Sequence, residues 1–209
     1  MPPEVTPVPT TLLIAEDQVM MREALATLLD LEPDLAVVGQ VGGADEVVPA
    51  VRDRHPDVVL LDIELLGGSG LDVAEALHEA APTVRVVVVT TFGRPGYLRR
   101  ALDAGVRGYV VKDGPVEALA DAVRRVVAGE LVLDPALAAD ALAAGPNPLT
   151  GREREVLRAC RAGATIADVA ATLHLSEQTV RNYVSAAIGK TGTRNRVEAA
   201  SEARHRGWL

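Results

Sequence analysis

Cysteine is nearly missing from this chain: Cys160 stands alone among 209 residues. A single thiol excludes an intrachain disulfide framework and fits a reducing cytosol. With Val156 and Leu157 at helical spacing, Cys160 reads as a core residue. Aromatics are almost as scarce, at 2%, so any core is built from Ala, Val and Leu. Four scattered histidines and one cysteine offer no zinc-site spacing. No apolar run approaches the roughly 20 residues of a membrane span. Met1 to Thr10 is Pro-rich and lacks the basic and apolar regions of a signal peptide. It predicts a disordered tail, on a protein that works in the cytoplasm.

What the chain does have is a charge asymmetry. Residues 1–145 hold 11 Lys and Arg against 23 Asp and Glu, a net of −12. Residues 146–209 hold 10 against 6, a net of +4. An acidic domain is joined to a module suited to a polyanion. The composition is 48% hydrophobic, enough for two real cores.

The first part alternates strand and helix patterns. Thr11 to Ala15, Leu35 to Val41, Val58 to Leu61, Val84 to Thr90 and Gly108 to Val111 read as strands. Runs such as Val58-Val59-Leu60-Leu61 and Val86 to Val89 do not alternate, which marks strands buried on both faces. Val19 to Asp30, Ala44 to Arg54, Leu71 to Ala80, Pro95 to Ala104 and Pro115 to Ala128 read as helices, the second interrupted by Pro49. Five βα units predict an α/β domain, a doubly wound five-stranded parallel sheet over residues 11–128. No glycine-rich dinucleotide fingerprint follows the first strand. Residues 129–148 form a linker. Leu131-Val132-Leu133 packs back on the domain, Ala136 to Ala144 makes a short helix, and Gly145-Pro146-Asn147-Pro148 breaks the chain.

Residues 149–209 predict a small all-α domain of four helices. Thr150 with Glu153 forms a capping box, Thr165 caps Ile166 to Leu173, Ser176 caps a helix to Lys190, and Thr193 to Asn195 opens the last. Two short capped helices about a tight turn are a helix-turn-helix. Val180, Val184, Ala187 and Ile188 make its buried stripe. Gln178, Arg181, Asn182 and Ser185 share the opposite face, which suits a major groove. Lys190, Arg194 and Arg196 read as phosphate contacts or solvated charges.

Chemistry in such a sheet sits at the carboxyl ends of its strands. Glu16-Asp17 ends the first strand, Asp62 the third, Thr90 the fourth, and Lys112 follows the fifth. Three converging carboxylates call for a hard cation, and oxygen ligands suit Mg²⁺. A carboxylate nucleophile, a cation, a hydroxyl and an ammonium together can accept a phosphoryl group. Asp62, being central, is the predicted nucleophile. The pair Asp62-x-Glu64 also resembles aspartyl phosphatases of the haloacid dehalogenase type, but these carry a second Asp there and a cap domain, so no enzyme is expected.

The set Glu16-Asp17, Asp62, Thr90, Tyr109 and Lys112 closely resembles the receiver domain of bacterial two-component response regulators, whose fold is flavodoxin/CheY-like. The resemblance implies that a sensor histidine kinase phosphorylates Asp62. It implies that Glu16, Asp17, Asp62 and the backbone carbonyl of Glu64 bind Mg²⁺, and that Thr90 and Lys112 contact the phosphoryl group. Tyr109 would be the aromatic switch. Two positions depart from the family. Glu16 replaces a common Asp, and Leu65-Leu66 replaces Met-Pro, which is expected to loosen the loop after Asp62.

The stretches 149–157, 175–184 and 195–199 resemble the LuxR-type helix-turn-helix domain, in which Thr179 joins Gln178, Arg181, Asn182 and Ser185 at DNA. Joined to a receiver, it implies a NarL/FixJ-class regulator: a homodimer on phosphorylation, binding promoter DNA, with RNA polymerase as a further partner. Ile14 to Gln18, Thr90 to Tyr97 and the ending Arg206-Gly207-Trp208-Leu209 resemble a subgroup answering membrane-associated kinases and controlling a fatty-acid desaturase gene. A phosphorylation-independent regulator with an atypical receiver is the alternative.

Overall fold

The computed structural model describes residues 8–91, 95–143, 146–160 and 164–209. The predicted tail falls mostly outside these, although Thr10 already belongs to the first strand. Phe92, Gly93 and Arg94 of the desaturase-type motif, and residues 161–162 of the first C-terminal helix, also lie outside them. The chain divides into two compact units, residues 1–93 with 101–138, and 94–100 with 139–209.

As far as residue 143 the chain alternates strands and helices as predicted. In chain order they are β1 (Thr10–Ala15), α1 (Val19–Leu29), β2 (Leu35–Val41), α2 (Ala44–Arg54), β3 (Val58–Leu61), β4 (Glu64–Leu65), β5 (Gly68–Ser69), α3 (Gly70–Ala80), β6 (Arg85–Thr90), α4 (Pro95–Asp103), β7 (Gly108–Val111), α5 (Val116–Val127), β8 (Val132–Leu133) and α6 (Pro135–Ala143). The main sheet runs β2-β1-β3-β6-β7-β8, every pairing parallel. It has six strands where five were expected. Leu131-Val132-Leu133 does pack back, and two of its residues pair with β7 as an edge strand.

Both faces of the central strands are buried, which is why their sequences do not alternate. Leu12, Ile14, Val58, Leu60, Val87 and Val89 pack against Leu29 of α1 and Leu119, Val123 and Val126 of α5. Their neighbours Leu13, Val59, Leu61 and Val88 point the other way and are equally buried. Helix α2 runs straight through Pro49. Its first turn is held by the Glu46 carboxylate, which accepts the N–H groups of Gly42 and Gly43 at 3.0 and 2.8 Å. Buried Val47 and Val51 anchor it on either side of the proline.

The expectation of a loosened loop after Asp62 is overturned. β4 and β5 form a two-residue antiparallel hairpin, with Gly67 at its turn at φ +79°. The Leu66 N–H donates to the Gly42 carbonyl at 3.3 Å, and the Leu66 carbonyl accepts from Ala44 N–H at 2.9 Å. A proline at position 66 has no N–H for the first of these bonds. Leucine therefore fastens the loop to the β2–α2 turn.

The second unit contains α7 (Gly151–Ala159), α8 (Ile166–Leu173), α9 (Glu177–Thr191) and α10 (Arg196–His205). Thr150, Thr165, Ser176 and Asn195 cap them as read from the sequence. His174, in the left-handed region, turns α8 into α9. Cys160 sits in the core with Val156, Val169, Val180 and Val184, and its burial pushes the thiol pKa up. A second cluster joins Leu149, Leu157, Ala187, Ala199, Ala203 and Trp208.

Candidate functional site

The parallel ladder carries each acid to its place. One residue past β1, the Glu16 N–H donates to the Val41 carbonyl at 3.1 Å. One residue past β3, the Asp62 N–H donates to the Ala15 carbonyl at 2.9 Å. One residue past β7, the Lys112 N–H donates to the Thr90 carbonyl at 2.8 Å. Pairing that continues beyond the strands fixes these backbones, so side chains 46 and 50 residues apart in sequence meet at one edge of the sheet.

They meet at Lys112. Its ammonium donates to Glu16 Oε2 at 2.5 Å and to Asp62 Oδ2 at 2.8 Å. Glu16 and Asp62 are both buried, and the Lys112 side chain is only 7% exposed. Burial raises the Glu16 pKa above 4.5, the Asp62 charge adds to this, and Lys112 opposes it. Burial alone would lower the Lys112 pKa, but its bonds to Asp62 and Glu16 hold it above 10.5 and keep the ammonium charged. Desolvated charges survive here because they satisfy one another.

Asp17 completes the acidic set. Oxygens of Glu16, Asp17 and Asp62 all lie within 4.8 Å of one another. Around a six-coordinate Mg²⁺ at about 2.1 Å, opposite oxygens stand about 4.2 Å apart. The donor set is all oxygen and of the right span, so these residues fit that ion. The extra methylene of Glu16 does not carry its carboxylate out of the cluster.

Thr90 is buried at the end of β6, opposite Val111 in the register. Tyr109 is 2% exposed, with Val88 on one side and Leu133 on the other. Glu64 is exposed in the β4–β5 hairpin.

Two residues that sequence reasoning passed over also shape this edge. Arg22 Nη1 donates to the Glu16 carbonyl at 2.5 Å, holding the acidic turn from α1. Gly70, first residue of α3, lets the helix approach the Asp62 backbone. A Cβ there would overlap the Asp62 carbonyl oxygen and lie 2.9 Å from its carbon. The Gly67-Gly68-Ser69-Gly70 run was the available signal, but it does not say which glycine matters.

In the second unit, Gln178, Arg181, Asn182 and Ser185 are all exposed along α9. Gln178 donates to Asn182 at 3.0 Å, and Arg181 pairs with Glu177 at 2.7 Å. Thr179, half-buried, bonds Ser176 at 2.8 Å between hydroxyls. Lys190 donates twice to the buried Glu153 carboxylate, at 2.9 and 2.7 Å. Arg194 pairs with Glu198 at 2.8 Å, and Arg196 donates to the Ala164 carbonyl at 2.7 Å. Among the described residues no helix is long and apolar enough to cross a membrane.

Comparison with known proteins follows the same division. Residues 12–124 match the family described as response regulator receiver domain. Residues 147–203 match the bacterial regulatory proteins of the luxR family. The chain is 46% identical to the transcriptional regulatory protein YvfU of Bacillus subtilis, over 95% of this chain and 98% of that protein. It is 42% identical to the transcriptional regulatory protein DesR of the same organism, with the same coverage. The crystal structure of the response regulator ChrA, from a heme-sensing two-component system, matches with a TM-score of 0.55 at 28% identity, over 96% of this chain and 99% of that one. A receiver domain followed by a LuxR-type helix-turn-helix defines the class, and the chain belongs to the NarL/FixJ-class two-component response regulators, which are DNA-binding transcriptional regulators.

Proposed function

We propose that this regulator is switched by Mg²⁺-dependent phosphorylation of Asp62 by a sensor histidine kinase. The observation that carries this reading is the Lys112 ammonium bridging Glu16 and Asp62 at the strand ends, with Asp17 beside them. An Asp62 oxygen attacks the phosphorus of a phosphohistidine, the P–N bond breaks, and the imidazole leaves. Glu16, Asp17, Asp62 and the Glu64 carbonyl would hold Mg²⁺, which neutralises charge on the phosphoryl oxygens when bound. The Lys112 ammonium and the Thr90 hydroxyl then bond those oxygens. Thr90 and Tyr109 shift together and pass the state on.

Phosphorylation promotes a homodimer that sets two helix-turn-helix units on half-sites about one DNA turn apart. Two faces can serve, one built from α4, β7 and α5, the other from α1 and α5. Met20, Leu28 and Leu31, exposed by 84%, 42% and 75% on and just past α1, favour the second. On DNA, Gln178, Thr179, Arg181, Asn182 and Ser185 form the groove face. Lys190, Arg194 and Arg196 serve as phosphate contacts, Lys190 with the donor left over from Glu153. The protein acts in the cytoplasm, with RNA polymerase as a further partner.

The similarity to DesR supports a narrower role, control of a fatty-acid desaturase gene in answer to a membrane-associated kinase. YvfU is the more similar of the two, at 46% identity against 42%, so the bound promoter is what separates these readings.

Labelling with acetyl phosphate tests the acceptor. Asp62→Ala should abolish uptake, and persistent labelling would assign the role to another acid. Sedimentation with and without beryllofluoride tests the dimer, and a monomer in both conditions would refute it. Operator binding that ignores phosphorylation would favour a vestigial receiver.

A further inference from the structure

The sixth strand makes one structure of the sheet and the segment that follows it. In β8, Val132 lies opposite Gly108 and Leu133 opposite Tyr109. The Val132 N–H donates to the Arg107 carbonyl at 2.9 Å. Arg107 Nη2 donates to the Gly129 carbonyl at 2.8 Å. The start of β7 and the turn into β8 are thus tied to each other twice. Alongside lies a cavity of about 520 Å³, bordered by Tyr109, Ala118, Ala122, Leu133 and Leu137.

Tyr109 therefore has two relations to β8. It is a pairing partner, and it borders the same cavity as Leu133. Residues opposite each other on neighbouring strands put their side chains on the same face of the sheet. Leu133 thus flanks Tyr109 on the face its ring occupies, and a change in the ring's rotamer is felt at Leu133. β8 itself is two residues long, half-buried and at the sheet edge. Such elements open well before the rest of a domain.

We propose that β8 is a releasable latch: the Tyr109 rotamer change that follows phosphorylation at Asp62 unseats Val132 and Leu133 from the edge of β7. The proposal rests on the phosphoryl-acceptor reading above. Unseating uncovers the β7 edge and frees residues 128–134, which span up to about 23 Å when extended. The connection between α5 and the helix-turn-helix unit lengthens accordingly. Reach along DNA then becomes a consequence of the chemical state of Asp62.

Hydrogen exchange on the full chain reads the latch directly. With Mg²⁺ and beryllofluoride, exchange at Val132 should speed about tenfold while the loop 62–70 slows. Linkage supplies a second readout, because coupling between two sites is reciprocal. Val132→Pro removes the N–H that holds the strand, so it should tighten beryllofluoride binding by a similar factor, about tenfold. Protection of the 62–70 loop with unchanged exchange at Val132 would overturn the latch and leave the acceptor reading standing. Wild-type beryllofluoride affinity in Val132→Pro would do the same. A wild-type chain that binds no beryllofluoride would overturn both.

Discussion

Replacing Gly70 by alanine should slow phosphoryl uptake at the proposed acceptor Asp62 without altering any side chain around it. Gly70 is buried at the start of α3, and its N–H donates to the Ile63 carbonyl at 2.8 Å. A methyl there would stand 2.9 Å from the Asp62 carbonyl carbon and 3.1 Å from Ile63 Cα, and would overlap the Asp62 oxygen. Carbon atoms pack at about 3.5–4.0 Å. The peptide after Asp62 must therefore retreat by roughly 0.6 Å at carbon and by more than about 1 Å at oxygen. Reactive constellations tolerate about 0.5 Å, and a displacement of about 1 Å costs about 100-fold in rate. That is about 2.7 kcal/mol of transition-state stabilisation. The assay is the initial rate of Asp62 labelling from acetyl phosphate at saturating Mg²⁺, with melting alongside. Overpacking should also cost about 1–3 kcal/mol of stability, leaving a folded chain to measure. Gly114→Ala is the control, since a Cβ there meets nothing within 4 Å. A Gly70→Ala rate within about twofold of wild type would refute the reasoning.

Other expectations concern the helix-turn-helix unit. Lys190→Met strands the Glu153 carboxylate, 6% exposed, without its ammonium, and should cost about 1–2 kcal/mol, since the lysine end is partly solvated. Burial opposes ionisation of Glu153, but bonds from Lys190 and Thr150 outweigh it and lower its pKa below 4.5. Its contribution is therefore complete above the ordinary value and lost as pH falls through the folded one, so acid melting below about pH 4.5 should be steeper in wild type than in Glu153→Gln. Gly189→Ala, in the exposed interior of α9 with open space for a Cβ, should raise stability by about 0.8 kcal/mol in a thermal melt. Arg181→Ala should weaken specific operator binding by about 1–3 kcal/mol, and an equal loss on random DNA would make it a phosphate contact.

The sheet was legible because burial on both faces leaves a mark in the sequence. Val86 to Val89 and Val58 to Leu61 have no alternation to confuse with an exposed strand. The acids were legible because strand ends in a parallel sheet face one way. The features that escaped leave no periodic trace. β8 is too short for a period, and its pairing depends on a partner more than 20 residues away. The Glu153 capping box was readable over three residues, but its second partner, Lys190, lies 37 residues on. The tie at Leu66 is made by its backbone, which no side-chain pattern reports. Gly70 matters for the atoms it omits.

The Glu153–Lys190 pair has a consequence for how such a regulator can change. It joins the first turn of α7 to the last turn of α9, while Val180, Val184 and Ala187 bind α9 to the cores. The frame of α9 is thus set by residues that face inward or lie at its ends. Gln178, Arg181, Asn182 and Ser185 stand outside that frame, and exposed side chains of this kind are replaced within about ±0.5 kcal/mol. The groove face proposed above can therefore be rewritten at almost no cost in stability. On that proposal, a duplicated copy of this gene drifts to a new operator one side chain at a time and remains folded at every step.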